Sequence, residues 1–263
     1  MSQLILPTKN SWCPGCGNFG ILKALEKGIE EPDRTVAVSG IGCHGKIVDY
    51  LNLSSFYGLH GRPVPVATGI KLATPHLKVV AFSGDGDSLN EGISHLIHAA
   101  KRNNDITVIL HQNRNFALTV KQFTATSPRG FISNSSPSGN IEDPLNPLDL
   151  MDASGSSFIA RGSSLEIDHL SYLIREAISH RGFSFLEVLQ PCVAWFDTTK
   201  EYKEKTYKME EIPENYKEKI KEWDYNNGSK IPLGIFKKEE KETFEDRLKS
   251  GEKEVNLFEI ANG

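Results

Sequence analysis

Two hydrophobic patterns alternate along most of the chain. Val79–Ser83 and Ile106–Leu110 are short apolar runs of the kind that a parallel sheet buries on both faces. Between these two runs, apolar residues recur at helical spacing and predict an amphipathic helix over Ser88–Arg102. The stretch is therefore predicted to form a strand, a helix and a second strand in succession.

The same patterns predict the rest of an α/β domain. Further strands are predicted at Thr35–Ser39, Ser157–Ala160 and Ser184–Gln190, and further helices at Asn18–Glu30, Pro147–Ala153 and Leu165–His180. Strands that alternate with helices indicate a doubly wound α/β fold with a mostly parallel sheet. Phe123–Pro144 is rich in Ser, Pro, Gly and Asn, and it is predicted to be a long loop that serves as a lid or an interface segment.

The character of the sequence changes at residue 197. From Asp197 onward the chain is rich in Lys and Glu, with interspersed Tyr and Trp that are too few to form a second core. We predict two parts, an α/β domain over residues 1–196 and a charged, aromatic-bearing arm over residues 197–263. The arm is predicted to pack on the domain or on a partner subunit.

Composition excludes several classes of function. With 263 residues and 38% hydrophobic residues, the chain can form a substantial core. A net charge of −4 and the lack of a basic block argue against nucleic acid as a partner.

No run of ~18 apolar residues is present, and the first ten residues lack a signal-peptide core, so we expect a soluble, cytoplasmic protein without a membrane partner. Four cysteines in such a protein suggest metal or redox chemistry rather than disulfides.

Polar residues follow both strands of the first unit. Gly84-Asp85-Gly86-Asp87 follows one strand and Asn113 follows the other. The carboxyl ends of parallel strands share an edge, where ligands bind. Carboxylate, amide and carbonyl oxygens suit Mg²⁺, and the helix that opens after Asp87 offers N–H groups to an anion. The residues predict a magnesium–diphosphate site. Gly-Asp-Gly-Asp is also a common turn sequence, but the asparagine after the second strand favours the site.

The four cysteines fall at related places. Cys13 and Cys16 form a Cys-x-x-Cys pair, which half of a zinc site or a thioredoxin-like dithiol would also explain. No strand precedes this pair, and no second close pair of Cys or His follows it. Cys43 and Cys192 each follow a predicted strand, at the edge that carries Asp85. Four converging cysteines indicate an iron–sulfur cluster, and the alternative is that the two lone cysteines are small core residues.

The glycine–aspartate–glycine segment with Asn113 resembles the thiamine diphosphate signature. Together with the cysteines, it makes the chain similar to the beta subunits of the 2-oxoacid:ferredoxin oxidoreductases over residues 12–193. The matching segments are WCPGCG at 12–17, SGIGC at 39–43, LHGR at 59–62, GIK at 69–71, GDGD at 84–87, NPL at 146–148 and LQPC at 189–192. Two positions depart from the family pattern. Gln112 stands where a second asparagine is common, and Ala117 replaces a glycine, which we expect to narrow the pocket.

The resemblance implies a thiamine diphosphate-binding fold and a set of site residues. It implies that Mg²⁺ is held by the side chains of Asp85 and Asn113 and by a carbonyl of Asn115, and that a 4Fe-4S cluster is ligated by Cys13, Cys16, Cys43 and Cys192. The residues implied to line the thiamine diphosphate are Ile41, Gly42, Cys43, His44, Asp85, Gly86, Asp87, Asn113, Asn115, Ala117 and Leu118.

Two further residues are candidates for the catalytic machinery. The resemblance places His60 near the cofactor, although a loop histidine of this kind is more often a structural hydrogen-bonding group. Lys46 follows Cys43 closely and is placed to pair with a substrate carboxylate, although a loop lysine is usually solvated.

Thiamine diphosphate supplies a carbanion that attacks a ketone. The cofactor then holds the electron pair left by decarboxylation. The resemblance then implies oxidative decarboxylation of a 2-oxo acid, with the acyl group passed to coenzyme A and the electrons to ferredoxin. It also implies an alpha subunit whose pyrimidine-binding domain supplies a glutamate. The loop and Lys46 look more like those of the family members that use 2-oxoglutarate or have broad specificity, so the resemblance favours 2-oxoglutarate over pyruvate. The alternatives are a non-oxidative thiamine diphosphate-dependent decarboxylase or synthase with structural cysteines, and a non-catalytic iron–sulfur or zinc scaffold.

Overall fold

A computed structural model of the chain describes residues 3–226, 228 and 230–250. The strands are β1 Thr35–Ser39, β2 Ser54–Tyr57, β3 Lys78–Gly84, β4 Thr107–Gln112, β5 Phe158–Ser163, β6 Ser184–Leu189, β7 Thr206–Lys208 and β8 Ile231–Lys238. The α-helices are α1 Asn18–Gly28, α2 Pro63–Ala73, α3 Ile93–Arg102, α4 Pro147–Ala153, α5 Ile167–Ser179, α6 Thr199–Lys205, α7 Tyr216–Lys221 and α8 Phe244–Ser250.

The eight strands form one sheet in the order β2-β1-β3-β4-β6-β5-β8-β7. β1 to β6 pair in parallel, whereas β8 pairs antiparallel with β5 and parallel with β7. From β1 the chain passes to β2 on one side and then returns to β3 on the other side. This reversal makes the carboxyl ends of β1 and β3 a topological switch point, where such sheets bind ligands. The prediction of a doubly wound, mostly parallel sheet is confirmed.

Hydrophobic side chains cover both faces of the sheet. Val80 and Phe82 of β3 point to the face that α1 and α5 cover, and Val79 and Ala81 point to the face that α2, α3 and α4 cover. Because both faces are buried, the central strands read as continuous apolar runs rather than as an alternating pattern. That is why β3 and β4 could be located from the sequence.

The predicted helix over Ser88–Arg102 is wrong at its start. Gly86–Glu91 form a π-helical turn, and α3 begins only at Ile93. Glycine allows close backbone approaches here, since a β-carbon on Gly92 would lie 2.6 Å from the carbonyl oxygen of Gly61. π-Helical turns occur mostly at functional sites, and this one follows directly on Asp85.

The C-terminal segment contributes to the same sheet. The predicted arm begins at residue 197, and its described part contains α6, β7, α7, β8 and α8. Tyr202, Trp223 and Tyr225 are buried in a small cluster that also contains Leu189 at the end of β6. The division of the chain at residue 197 stays a prediction. Among the described residues, no helix combines the length and apolar character that crossing a membrane requires.

Candidate active site

One pocket lies at the carboxyl ends of β1, β3 and β4, at the switch point of the sheet. The structure brings together in it every residue expected to line the cofactor, namely Ile41, Gly42, Cys43, His44, Asp85, Gly86, Asp87, Asn113, Asn115, Ala117 and Leu118. His60 lines the same pocket, together with Phe116 and Thr119. The strand ends that the sequence analysis singled out therefore do meet.

Asp85 is a fully buried carboxylate at the end of β3. Its Oδ2 accepts hydrogen bonds from the hydroxyls of Thr124, at 2.5 Å, and Thr126, at 3.1 Å. Burial raises the pKa of Asp85 to about 6, although these hydroxyls favour the ionised form. Neutral donors leave most of the charge of an ionised carboxylate uncompensated, so this position suits a bound cation.

The turn after β4 presents further oxygen atoms to the pocket. The amide Nδ2 of Asn113 donates to Gln190 at 3.2 Å, and its Oδ1 accepts from the backbone N–H of Asn115 at 3.1 Å. The Oδ1 of Asn115 is buried and has no hydrogen-bond partner among the described residues. A buried carboxylate and an unpaired amide oxygen, from two residues that line the same pocket, suit a hard cation such as Mg²⁺. The residues present therefore fit the predicted magnesium site.

Arg114, which lies between the two asparagines, faces away from the pocket. It adopts a φ of 60°, and its side chain is buried. The guanidinium donates to the carbonyl oxygens of Thr126, at 3.3 Å, and Tyr225, and it lies 5.5 Å from the ring centroid of Trp223. This arginine ties the turn to the long loop and to the C-terminal segment. The sequence analysis missed it, because a charged residue in a turn carries no pattern that predicts burial.

Asp87 has the opposite surroundings from Asp85. Its Oδ1 lies 2.7 Å from His60 Nδ1 and accepts from the backbone N–H groups of Gly61, at 2.7 Å, and Ile41, at 3.2 Å. Burial acts to raise the pKa of Asp87, but hydrogen bonds with His44 and His60 outweigh it and hold the pKa well below its usual range. The same contact raises the pKa of His60. Asp87 thus joins the loops after β1 and before α2.

A second cavity adjoins the pocket and contains all four cysteines. Its wall is shared with the first pocket through Cys43, Asn113, Ala117 and Leu118. The Cys-x-x-Cys turn closes with a hydrogen bond from the amide of Cys16 to the carbonyl of Cys13 at 3.0 Å, and Gly15 adopts the φ of +83° that this turn requires. The amide of Gly17 donates to Pro191 at 3.1 Å, which docks the turn against the end of β6.

The thiols influence one another. The pKa of Cys16 is raised to about 11, mainly by burial and to a smaller extent by the neighbouring thiols. Burial also raises the pKa of Cys43, which Lys46 opposes. Among the described residues, no three side chains of His, Cys, Asp or Glu are placed to hold a single metal ion. A four-iron cluster instead takes one thiolate at each iron, and four thiols around one cavity fit that requirement.

Lys46 lies with the cysteines rather than in the first pocket. Its ammonium group is 3.4 Å from the carbonyl oxygen of Ser11, and its side chain lines the cysteine cavity. Its predicted contact with a substrate carboxylate stays a prediction.

Comparison with known proteins agrees with this geometry. The family model described as thiamine pyrophosphate enzyme, C-terminal TPP binding domain, matches residues 40–188, and the model for the C terminal of the pyruvate ferredoxin oxidoreductase beta subunit matches residues 192–253. The 2-oxoacid:ferredoxin oxidoreductase 1 subunit beta of Aeropyrum pernix is 42% identical over 91% of this chain and 81% of its own length. The chain belongs to this family of beta subunits.

Other beta subunits of the 2-oxoacid:ferredoxin oxidoreductases are also similar. The 2-oxoglutarate synthase subunit KorB of Archaeoglobus fulgidus is 37% identical over 93% of this chain and 90% of its own length. Among solved structures, the 2-oxoglutarate:ferredoxin oxidoreductase from Magnetococcus marinus superimposes with a TM-score of 0.91. It is 28% identical, and the match covers 98% of this chain and 94% of that one. The resemblance inferred from the motifs is confirmed.

The most important residues missed for this beta subunit are Thr124 and Thr126, which contact Asp85 from the long loop. The signal available was weak, because the run from Thr124 to Ser127 contains three hydroxyl residues in a segment rich in them throughout. Their side chains are buried, whereas Ile132 and Ile141 later in the same loop are exposed.

Proposed function

We propose that this chain is the catalytic beta subunit of an enzyme that oxidatively decarboxylates a 2-oxo acid to an acyl-coenzyme A and CO₂. The observation that carries the proposal is the common wall of the two cavities, formed by Cys43, Asn113, Ala117 and Leu118. A cofactor held on one side of this wall would lie next to a cluster held by the cysteines on the other side, and such a cluster could accept its electrons.

Each residue group has a distinct task in this proposal. Asp85, Asn113 and Asn115 hold the Mg²⁺ that binds the diphosphate, and Asp87 fixes the loops that carry His44 and His60. Cys13, Cys16, Cys43 and Cys192 ligate the 4Fe-4S cluster. When bound, thiamine diphosphate supplies the nucleophile and the electron sink for decarboxylation, and an iron–sulfur cluster accepts electrons for transfer to ferredoxin.

We propose 2-oxoglutarate rather than pyruvate as the preferred substrate. The relative from Archaeoglobus fulgidus is named a 2-oxoglutarate synthase subunit, and the solved structure from Magnetococcus marinus contains 2-oxoglutarate, coenzyme A and succinyl-CoA. Lys46 supplies a cationic group beside the shared wall that can pair with a carboxylate of the substrate. The proposed partners are an alpha subunit, which the naming of the relatives as beta subunits supports, and ferredoxin.

Anaerobic purification with the partner subunit tests the proposal. We expect a brown protein that contains iron, sulfide, magnesium and thiamine diphosphate, and that reduces a viologen dye when given 2-oxoglutarate and coenzyme A. Thiamine diphosphate without iron would support a non-oxidative thiamine enzyme instead. Zinc alone would support a scaffold.

The role of Lys46 has a separate test in the same assay. We expect Lys46→Ala to raise the KM for 2-oxoglutarate about tenfold, since one charge-assisted hydrogen bond is lost, with little change in cofactor affinity. Lys23→Ala removes an exposed lysine that pairs with Glu26 on α1, and it is the control. An unchanged KM for the first variant would mean that Lys46 does not contact the substrate.

A further inference from the structure

A buried charged group lies in the middle of the sheet. Glu187 of β6 has no exposed surface, and its carboxylate pairs with Arg161 Nε at 2.6 Å and accepts from the Tyr225 hydroxyl at 2.7 Å. The guanidinium of Arg161 also lies within 5.5 Å of the ring centroids of Trp223 and Phe236. Buried ion pairs often contribute no net stability compared with apolar residues of the same volume. Stability alone therefore does not explain why Arg161 and Glu187 are paired in the interior.

A chain of hydrogen bonds leads from Glu187 to the magnesium site. Gln112, the last residue of β4, donates from Nε2 to Glu187 Oε1 at 3.1 Å. That contact turns the Oε1 of Gln112 towards Thr126, whose hydroxyl lies 2.8 Å away. The same hydroxyl lies 3.1 Å from Asp85 Oδ2. The four residues in this series of hydrogen bonds are all buried, so water does not substitute for a lost contact.

We propose that Gln112, anchored by Glu187, is a positioning residue for the magnesium–diphosphate site. It fixes the Thr126 hydroxyl and thereby the carboxylate of Asp85. Through Glu187 and Tyr225, it also links the site to the C-terminal segment. The inference rests on the proposed function, in which Asp85 is a magnesium ligand. Gln112 is also the residue that stands where the family often has a second asparagine. An asparagine is one methylene shorter and does not span both contacts.

The physical basis is the orientation of a metal ligand. Groups that hydrogen-bond to a ligand fix its position, and their loss typically costs about 10–100-fold in metal affinity. The Thr126 hydroxyl lies between two acceptors, Gln112 and Asp85, which share its single proton, so its position and orientation depend on both. Without the amide oxygen of Gln112, the hydroxyl keeps the Asp85 carboxylate as its acceptor but is no longer held between the two groups.

The test compares two variants of the same strand. Gln112→Met keeps the length of the side chain but removes both amide contacts. Thr107→Val removes a buried hydrogen bond at the other end of β4, from the Thr107 hydroxyl to the carbonyl of Ala177 at 3.1 Å. We expect similar small losses in Tm for both. We expect Gln112→Met alone to weaken Mg²⁺-dependent thiamine diphosphate binding about tenfold, measured by calorimetry on the full chain with its partner subunit.

A double-mutant cycle tests whether the residues act as one chain. Thr126→Val should weaken binding, and Thr126→Ser, which keeps the hydroxyl, should restore it. The double variant Gln112→Met/Thr126→Val should lose little more cofactor affinity than the weaker-binding single variant, because both changes interrupt the same series of hydrogen bonds. If the fold loss of affinity in the double variant equals the product of the two single losses, the residues act independently and the proposal is overturned.

The outcomes separate this inference from the proposed function. If the wild-type complex fails to bind Mg²⁺–thiamine diphosphate, the proposed function is wrong. If the wild type binds and Gln112→Met binds equally well, Gln112 does not position the site. Should Gln112→Met not fold, Gln112→Asn is measured in the same way, and wild-type affinity in that variant would overturn the inference.

Discussion

Two aspartates of one short motif have opposite electrostatic surroundings. Asp85 receives hydrogen bonds from hydroxyls, and burial raises its pKa to about 6. Asp87 has His44 and His60 beside it, and its pKa is held well below the usual range. Environments that separate the pKa values of neighbouring carboxyl groups assign them different tasks. Asp87 already has two histidine partners within the chain, whereas Asp85 suits a cation supplied by a ligand.

This difference predicts a trade-off at Asp85. Its folded-state pKa of about 6 exceeds its ordinary value of 3.8, so its contribution to stability is present below pH 3.8 and is lost as the pH rises through about 6. The loss corresponds to about 3 kcal/mol. We expect Asp85→Asn to raise the free energy of unfolding of the cofactor-free chain by about 2 kcal/mol at pH 8, and to abolish Mg²⁺-dependent thiamine diphosphate binding.

Urea unfolding at pH 4 and pH 8 and calorimetric titration measure the two effects. Asp87→Asn is the matched control, and it should destabilise the chain at pH 8, because the folded state lowers the pKa of that carboxyl. Cofactor binding by Asp85→Asn within a few-fold of wild type would place the magnesium site elsewhere.

Cys192 carries a second prediction at the residue scale. It lies far in sequence from Cys13 and Cys16, yet it lines the same cavity. We expect Cys192→Ser to lose most of the iron and sulfide after anaerobic purification, because a cluster with three thiolates is incompletely ligated. Val193→Ala changes the next residue of the cavity wall without removing a thiol, and it should keep the cluster. Full iron content in Cys192→Ser would show that this cysteine is not a ligand.

At the scale of elements, apolar patterns located the interior of the sheet but not its edges. β1 and α4 begin and end where the sequence predicted, because buried apolar runs and an Asn-Pro start mark them clearly. β2 has four exposed residues and therefore no apolar pattern. β8 contains Pro232 and Gly234, which argue against a strand when read alone. Its pairing with β5 is a tertiary effect that local patterns do not encode.

The turn between β4 and the long loop yields a third prediction. Arg114 holds this turn against the C-terminal segment. We expect Arg114→Met to lower the free energy of unfolding by about 2–3 kcal/mol, because the carbonyls of Thr126 and Tyr225 lose their donor in a buried site. We also expect cofactor affinity to fall about tenfold, since Asn113 and Asn115 flank the residue.

Arg175→Met is the control for this variant. Arg175 pairs with Glu30 at the surface of α5, and such exposed pairs contribute about 0–1 kcal/mol. Chemical denaturation and calorimetry on both variants separate the two effects. If Arg114→Met loses stability but binds the cofactor like the wild type, the C-terminal segment does not hold the turn in its binding geometry.

For the whole molecule, the sequence located the candidate site because its residues follow strand ends, and parallel strand ends converge. What the sequence did not provide is the set of contacts from distant segments. Thr124 comes from the long loop and Tyr225 from the C-terminal segment, and neither follows a strand that the sequence predicted. Sequence patterns carry little information about buried polar contacts between segments that lie far apart in the chain.

The surface beside the pocket bears on assembly. Phe56, Tyr57, Leu59 and Leu118 are between 44% and 76% exposed, and Leu118 lines both cavities. Large exposed apolar side chains often mark a surface that is buried against another subunit. All eight strands of the described residues belong to one sheet, and the pocket expected to bind the diphosphate lies at its switch point. From the family resemblance, we expect the alpha subunit to supply the glutamate that activates the cofactor.

The last prediction is therefore that the chain alone is not a working enzyme. Purified anaerobically without its partner, it should be brown, should bind thiamine diphosphate weakly, and should not decarboxylate 2-oxo acids. Addition of the alpha subunit should restore coenzyme A-dependent reduction of ferredoxin or a viologen dye. Leu59→Ser, at an exposed position, should leave the iron content unchanged but weaken assembly, measured by sedimentation. Robust turnover by the chain without a partner would instead indicate a self-contained homodimeric thiamine enzyme, in which two copies of this chain complete the site.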